Sequence, residues 1–136
     1  MSVGRFSLLC ALSISLLLSA CAAKETSDAI ARSRLMFRDL SAGQVAAVMD
    51  QAIPEERTPQ AVAGLIAASK LIPPGNPTSI LTLRDHYKIY SNVIIVDLSE
   101  EYYFPNNKQV IFDTILRYDK RLPSPELLSA RLQSGN

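Results

Sequence analysis

The sequence predicts an α+β fold in which three N-terminal helices pack on an antiparallel meander of three to four strands. Two observations predict this class. Apolar residues recur at helical spacing from Asp28 to about Leu71, whereas from Ser79 onward they alternate with polar residues. The alternating stretches are long and are separated by short turn sequences, which is typical of strands that pair with their neighbours in the chain.

The first two helices have recognisable boundaries. Helical spacing of apolar residues predicts a helix from Asp28 to Leu40. Ser41, followed three residues later by Gln44, matches a capping box, in which each side chain can bond the other residue's backbone N–H. We therefore expect a second helix to begin there and to end near Ala52.

A third helix is predicted from Thr58 to about Leu71. Thr58 suits the N-cap position, where a hydroxyl accepts a hydrogen bond from a free backbone N–H, and Pro59 suits the first helical position. Residues 73–77 include three prolines and one glycine, so we expect the helix to end before them.

Three long strands follow the helices. Ser91-Asn92 and Pro105-Asn106-Asn107 predict the turns between them, and we expect the helices to cover one sheet face while the other is wetter. One face of the first strand is expected to carry Leu81, Leu83, Tyr87 and Ile89. The last segment leaves two interpretations open: Ser124-Pro125-Glu126 favours a helix start, and the same stretch could form a fourth strand.

The first 20 residues have the three-part organisation of a secretory signal. A short head with one positive charge, Arg5, precedes an uncharged apolar stretch from Phe6 to Leu18, and small residues follow. An uncleaved membrane helix is the alternative, but crossing the hydrocarbon core takes about 20 apolar residues. We therefore expect a signal-peptide helix that precedes the domain and is removed.

The residues at the end of this signal are Leu18, Ser19, Ala20 and Cys21. They resemble the lipobox of bacterial lipoproteins, which has a branched aliphatic residue, two small residues and a cysteine. The resemblance implies that a signal peptidase recognises Leu18, Ser19 and Ala20, and that the Cys21 thiol receives diacylglycerol. Two or three acyl chains would hold the protein at a bilayer, because each buried methylene contributes about 0.8 kcal/mol.

Cleavage before Cys21 would divide the chain into a signal peptide (1–20), a lipidated tether (21–27) and a single α+β periplasmic domain (28–136). In enterobacterial-type lipoproteins, an aspartate beside the lipidated cysteine retains the protein in the inner membrane. This chain has Ala22 there, so the resemblance implies the periplasmic face of the outer membrane. In an organism with a single membrane, the anchor would lie in the cell membrane.

Composition argues against several classes of function. Cleavage removes one of the 14 basic residues and none of the 13 acids, so 13 of each sign remain. This balance argues against a nucleic-acid partner, which needs a basic surface. Cys10 also leaves with the signal, so the mature chain keeps a single cysteine and forms no internal disulfide. One histidine and isolated glycines predict neither a metal site nor a cofactor.

The order of elements, with helices before a meander that contains Tyr102-Tyr103-Phe104, resembles the NTF2-like superfamily. In that fold, helices lie across a curved sheet whose open end can form a pocket. The resemblance allows a ligand-binding protein, a small enzyme, or a non-catalytic binding or assembly domain. It also favours a last strand for the C-terminal segment.

Asp97 is the first candidate for an active-site carboxylate, because it falls on the partly apolar face of the second strand. A pocket around Asp97 and Tyr103 would indicate the ligand-binding or enzymatic alternative, and a paired carboxylate on the sheet is the competing interpretation. His86 falls on the polar face of its strand, so we expect a solvated side chain. Glu100 and Glu101 are expected to form the charged end of the second strand.

Tyr90 and Tyr103 could form an exposed aromatic patch of the kind that partner proteins bind. The leading hypothesis is therefore a non-enzymatic envelope lipoprotein that binds a protein or peptidoglycan-associated partner through the outer sheet face. A filled core with both tyrosines exposed would favour it over an NTF2-like pocket. A secretion-system pilotin is a further alternative, and the long strands argue against it.

Overall fold

A computed structural model describes the backbone of residues 3–135 and the side chains of residues 22–135. The elements in chain order are α1 (Val3–Ser41), α2 (Val45–Met49), α3 (Pro59–Ser69), β1 (Ser79–Tyr90), β2 (Val93–Phe104), β3 (Lys108–Asp119) and β4 (Glu126–Gly135). The strands form one antiparallel sheet in the order β1-β2-β3-β4, which confirms the predicted α+β class. None of the described helices combines the length and apolar character that crossing a bilayer requires.

One stripe of α1 is buried from its first described side chain onward. Ala22, Ala29, Ser33, Met36 and Leu40 recur at steps of three, four or seven residues, and all five are buried. The segment 21–27, which we expected to be a tether, has a helical backbone. The side chains of Leu18, Ser19, Ala20 and Cys21 lie outside the described ones. Among the described side chains, burial on α1 therefore begins at Ala22.

The end of α1 explains why the predicted capping box is wrong. Ser41 still belongs to α1, and its hydroxyl donates a hydrogen bond to the Phe37 carbonyl at 2.9 Å. Gly43 then adopts a left-handed φ of 75°, and the Gln44 N–H bonds the Asp39 carbonyl at 2.8 Å. This is the Schellman way of ending a helix. Gln44 therefore closes α1, and it makes no side-chain cap for α2.

The predicted start of α3 is confirmed. The Thr58 hydroxyl oxygen accepts a hydrogen bond from the Ala61 N–H at 3.1 Å, and Pro59 is the first helical residue. The helix ends at Ser69, two residues before the predicted end.

The C-terminal segment is a strand, although Ser124-Pro125-Glu126 locally favours a helix. β4 pairs with β3 along nearly its whole length. The pairing places Leu127 beside Leu116 and Leu132 beside Phe112, and all four are buried on the helix side of the sheet. Long-range pairing and burial thus outweigh the local helix signal.

The core lies between the helices and one face of the sheet. Alternate residues of β2 and β3 form the sheet side of the core: Ile94, Val96, Leu98, Tyr102 and Phe104, then Val110, Phe112 and Leu116. Phe37 of α1 stacks on Tyr102, with ring centroids 3.6 Å apart and ring planes within 9°. Two buried hydroxyls satisfy each other where α1 crosses β3, since Thr114 donates to Ser33 at 3.2 Å.

Candidate functional site

A β-bulge in β1 changes the faces on which the residues of this strand lie. Thr82 lies opposite Glu100 of β2, but Arg84 lies opposite Ser99, so Leu83 is an extra residue in the strand. Residues that lie opposite each other share a sheet face. An inserted residue therefore inverts the alternation of side chains beyond it.

The expectation that Leu81, Leu83, Tyr87 and Ile89 share a face is wrong for this reason. Leu81 precedes the bulge and lies on the outer face, away from the helices, opposite Glu101. Tyr87 and Ile89 follow the bulge and turn to the helix side. The apolar residues of β1 are thus divided between both faces of the sheet.

On the outer face, Arg84 gathers two carboxylates. Its Nη2 atom lies 3.0 Å from Oδ1 of Asp97 and 3.9 Å from Oδ1 of Asp113. Gln133 of β4 donates a further hydrogen bond to Asp113 at 3.3 Å. The cluster joins all four strands, and the Asp97 side chain is 41 % exposed within it. Asp97 is therefore a paired carboxylate on an open sheet face.

Asp97 lies on the sheet face away from the helices, whereas the NTF2-like alternative needs it inside a pocket. Its neighbours Val96 and Leu98 are buried in the core on the helix side, so Asp97 itself faces away from the helices. His86 lies directly opposite Asp97 and is exposed. Among the described side chains, no group of three His, Cys, Asp or Glu residues is placed to hold a metal ion.

Glu100 lies inside the protein rather than at a charged strand end. It is fully buried on the helix side, and Arg34 of α1 donates to its Oε2 atom from Nη2 at 2.8 Å and from Nε at 3.1 Å. Thr82 bonds the same oxygen at 3.3 Å. The hydrogen bond to Glu100 raises the pKa of Arg34. The pairing of Glu100 with the helix was missed in the sequence, although Glu100 is in phase with the buried Leu98 and Tyr102.

Tyr90 and Tyr103 share the outer face but lie at opposite ends of it. Tyr90 pairs with Val93, and Tyr103 pairs with Ser79. Val93 and Tyr103 are ten residues apart in β2, about 33 Å at 3.3 Å per residue. The Tyr103 hydroxyl donates to Glu101 at 2.9 Å, which raises the pKa of Tyr103. The two tyrosines therefore cannot form one patch.

Exposed apolar side chains concentrate instead on β1. Among the described residues, nine large apolar side chains are exposed, and five of them belong to this strand: Leu81, Leu83, Tyr87, Ile89 and Tyr90. On the helix side, a groove of about 480 Å³ separates the C-terminal half of β1 from α1. It is lined by Ala23, Thr26, Ser27, Ile30, Asp85 and Tyr87.

The opposite edge of the sheet is better protected. At the start of β4, the Ile53 N–H bonds the Leu127 carbonyl at 3.1 Å, and the Leu127 N–H bonds the Gln51 carbonyl at 2.7 Å. Farther along, the exposed side chains of β4 are polar, including Arg131 and Gln133. This contrast makes β1 the more accessible edge for an incoming chain.

A second cleft, of about 290 Å³, lies between α1 and the turn that joins β3 to β4. On its wall, Asp28 accepts hydrogen bonds from the Tyr118 hydroxyl and from Arg32 Nε, both at 2.7 Å. Burial alone would raise the pKa of Asp28, but these two hydrogen bonds outweigh it and lower the pKa. Burial and the bond to Asp28 raise the pKa of Tyr118. Asp28, Arg32 and Tyr118 are thus held together by hydrogen bonds on this wall.

Comparison of the chain with protein-family models, with curated proteins and with solved structures found no match.

Proposed function

We propose that this chain is a membrane-anchored envelope lipoprotein, acylated at Cys21, whose domain binds or assembles with another envelope protein without catalysing a reaction. The observation that carries the anchor is the sequence Leu18-Ser19-Ala20-Cys21 directly after an apolar signal. Cleavage before Cys21 would leave a chain whose single thiol lies at its new N-terminus. Acylation of Cys21 would account for the presence of this single thiol.

The packing of α1 supports an anchor held close to the domain. Ala22 is fully buried, so little free chain would separate an acylated Cys21 from the folded protein. Asp28, which bonds Tyr118 of β3, is seven residues beyond Cys21, about 10 Å along a helix at 1.5 Å per residue. The end of the sheet near Tyr118 would therefore lie close to the membrane surface.

The anchor is tested with the two cysteines of the chain as a matched pair. Cells that express the wild type, Cys10→Ser or Cys21→Ser are grown with radiolabelled palmitate. We expect label in the wild type and in Cys10→Ser and none in Cys21→Ser, which should remain unprocessed or leave the membrane fraction. Mature wild-type protein that retains its first 20 residues, or that carries no acyl mass, would refute the proposal.

The location is a separate part of the proposal. Ala22, rather than aspartate, follows Cys21, and the lipobox resemblance then implies export to the outer membrane with the domain on its periplasmic face. Density-gradient separation of inner and outer membranes should place the acylated protein in the outer-membrane fraction. Acylated protein in the inner-membrane fraction would contradict this location while leaving the anchor intact.

The binding role is supported by the uneven distribution of exposed apolar side chains. Five such side chains lie on one edge strand, and a surface of this kind is typical of protein interaction sites. In contrast, Asp97 is paired with Arg84 on the outer face, which gives no support to a ligand pocket around it. Cross-linking in cells followed by mass spectrometry should identify an envelope protein as the partner. If no envelope protein is cross-linked, the result would argue against this role.

A further inference from the structure

We propose that residues 84–90 of β1 form a docking site for an extended segment of a partner protein, which adds to the sheet as a fifth strand. The segment would place apolar side chains toward the helices and acidic side chains on the outer face. This inference rests on the proposed binding role and deepens it, because it specifies the binding surface and the chemistry of the partner.

The first argument is the free edge of β1. Within residues 3–135, whose backbone the structure describes, β1 has β2 as its only neighbour in the sheet. In an antiparallel pair, successive residues direct their backbone N–H and C=O groups alternately toward the partner strand and away from it. Every second residue of β1 therefore offers backbone groups to an incoming strand, which is how β-strand addition obtains its affinity.

The bulge at Leu83 limits where such a strand can add. A bulge interrupts regular pairing and is one of the features that protect sheet edges. Beyond it, Arg84 to Tyr90 pair with β2 without interruption. The regular run available to a partner is thus seven residues long and lies in the half of β1 beside the groove.

The groove explains the apolar side of the proposed segment. Tyr87 and Ile89 turn to the helix side and are 45 % and 37 % exposed. Ile30 of α1 lines the same groove, and so does Asp85 at the start of the run. A fifth strand would place every second side chain in this space and cover Tyr87, Ile89 and Ile30, which extends the helix–sheet core past its present edge.

The outer face supplies the charge of the segment. Arg84, His86 and Lys88 all turn outward along the same run. Asp97 already pairs with Arg84, whereas Lys88 lies opposite Ile95 and is exposed. Acidic residues directly opposite this basic row would be favourable cross-strand pairs.

The same basic row argues against a second copy of this chain as the occupant. Two β1 edges that paired antiparallel in one continuous sheet would have their outer faces on the same side. In the register centred on His86, Arg84 of each copy would then lie opposite Lys88 of the other. Like charges directly opposite each other destabilise a strand pair.

The test uses the full-length protein in detergent micelles and two synthetic eight-residue peptides, one of alternating valine and glutamate and one of alternating valine and lysine. We expect the glutamate peptide to bind at least about tenfold more tightly, equivalent to about 1.4 kcal/mol. Hydrogen exchange should show protection of alternate amides within residues 84–90. Lys88→Glu should reverse the preference between the peptides, whereas Arg131→Glu, on the opposite edge, should leave it unchanged.

Several results would overturn the proposal. These are equal affinity for the two peptides, protection on β4 instead of β1, or a Lys88→Glu variant that keeps the glutamate preference although its melting temperature is unchanged. Protection of the β1 amides that appears without peptide and grows with protein concentration would assign the edge to a second copy. Palmitate labelling of Cys21 is measured on the same preparation, so a failure here remains distinct from a failure of the anchor.

Discussion

Arg34 of α1 neutralises Glu100 of β2 across the helix–sheet interface, with 2.8 Å between Nη2 and Oε2. The carboxylate is fully buried, whereas the Arg34 side chain is 44 % exposed. A buried charge is tolerated only when it is paired and hydrogen-bonded. Because Glu100 needs this partner, the ion pair fixes the position of α1 relative to β2.

Removing the arginine should be costly for that reason. Arg34→Met leaves the Glu100 carboxylate buried without its cation, and we expect a loss of roughly 2–3 kcal/mol in the free energy of unfolding. Arg32→Met is the matched control, because Arg32 pairs with Asp28 near the surface, where such pairs contribute about 0–1 kcal/mol. Urea unfolding measures both. Equal losses for the two variants would show that burial of Glu100 does not matter.

The hydroxyls of Ser33 and Thr114 should show strong energetic coupling. Both side chains are fully buried, and their hydrogen bond joins α1 to β3. Ser33→Ala leaves the Thr114 hydroxyl unsatisfied, which should cost about 1–3 kcal/mol, whereas the double variant with Thr114→Val removes both groups and should cost less than the sum. A double-mutant cycle by urea unfolding measures the coupling. Strict additivity would contradict the shared bond.

Tyr102→Phe should not destabilise the protein. The Tyr102 hydroxyl is buried and has no hydrogen-bond partner among the described residues, while the ring stacks on Phe37. Phenylalanine keeps the stack and removes the unsatisfied hydroxyl, so we expect a gain of up to about 1 kcal/mol in stability. Tyr102→Ala is the contrasting variant and should lose about 3–5 kcal/mol through the cavity that it leaves. A clear loss for Tyr102→Phe would mean that the hydroxyl has a partner in solution.

The accuracy of the sequence-based predictions differs between strands for identifiable reasons. Alternation predicted the core residues of β2 and β3, because both strands are regular and are paired on both sides. In β1 the same pattern failed at the bulge, since Leu83 continues the apolar alternation that Leu81 begins and nothing in the local sequence marks it as an extra residue. For the C-terminal segment the sequence left a helix and a fourth strand open, because the pairing with β3 that decides between them is not visible in the local sequence.

The candidate site shows the same limit. Asp97 was correctly placed on the face opposite Val96 and Leu98, since this follows from alternation within one strand. Its pairing with Arg84 depends on the register across the bulge, which the sequence does not show. Glu100 has the phase of a buried residue, but its partner Arg34 is 66 residues away. Local patterns therefore predicted faces, and tertiary structure decided partners.

The free energy of unfolding should fall at both acid and alkaline pH, and the hydrogen bond between Tyr118 and Asp28 should contribute to both changes. The pKa of Asp28 is lowered in the fold, so its contribution is present above about pH 4 and is lost as the pH falls. The pKa of Tyr118 is raised, so its contribution is present below about pH 10 and is lost as the pH rises. Tyr118→Phe removes the bond between them and should flatten both limbs.

Tyr102→Phe separates the two limbs of this profile. Burial, and then the negative charge of Glu100, raise the pKa of Tyr102. Its contribution to the free energy of unfolding is therefore also lost as the pH rises above about 10. Tyr102→Phe should therefore flatten the alkaline limb and leave the acid limb unchanged, because the bond from Tyr118 to Asp28 is intact. The free energy of unfolding is measured in urea from pH 2 to pH 12. An acid limb that is the same in Tyr118→Phe as in the wild type would show that this bond does not set the ionisation of Asp28.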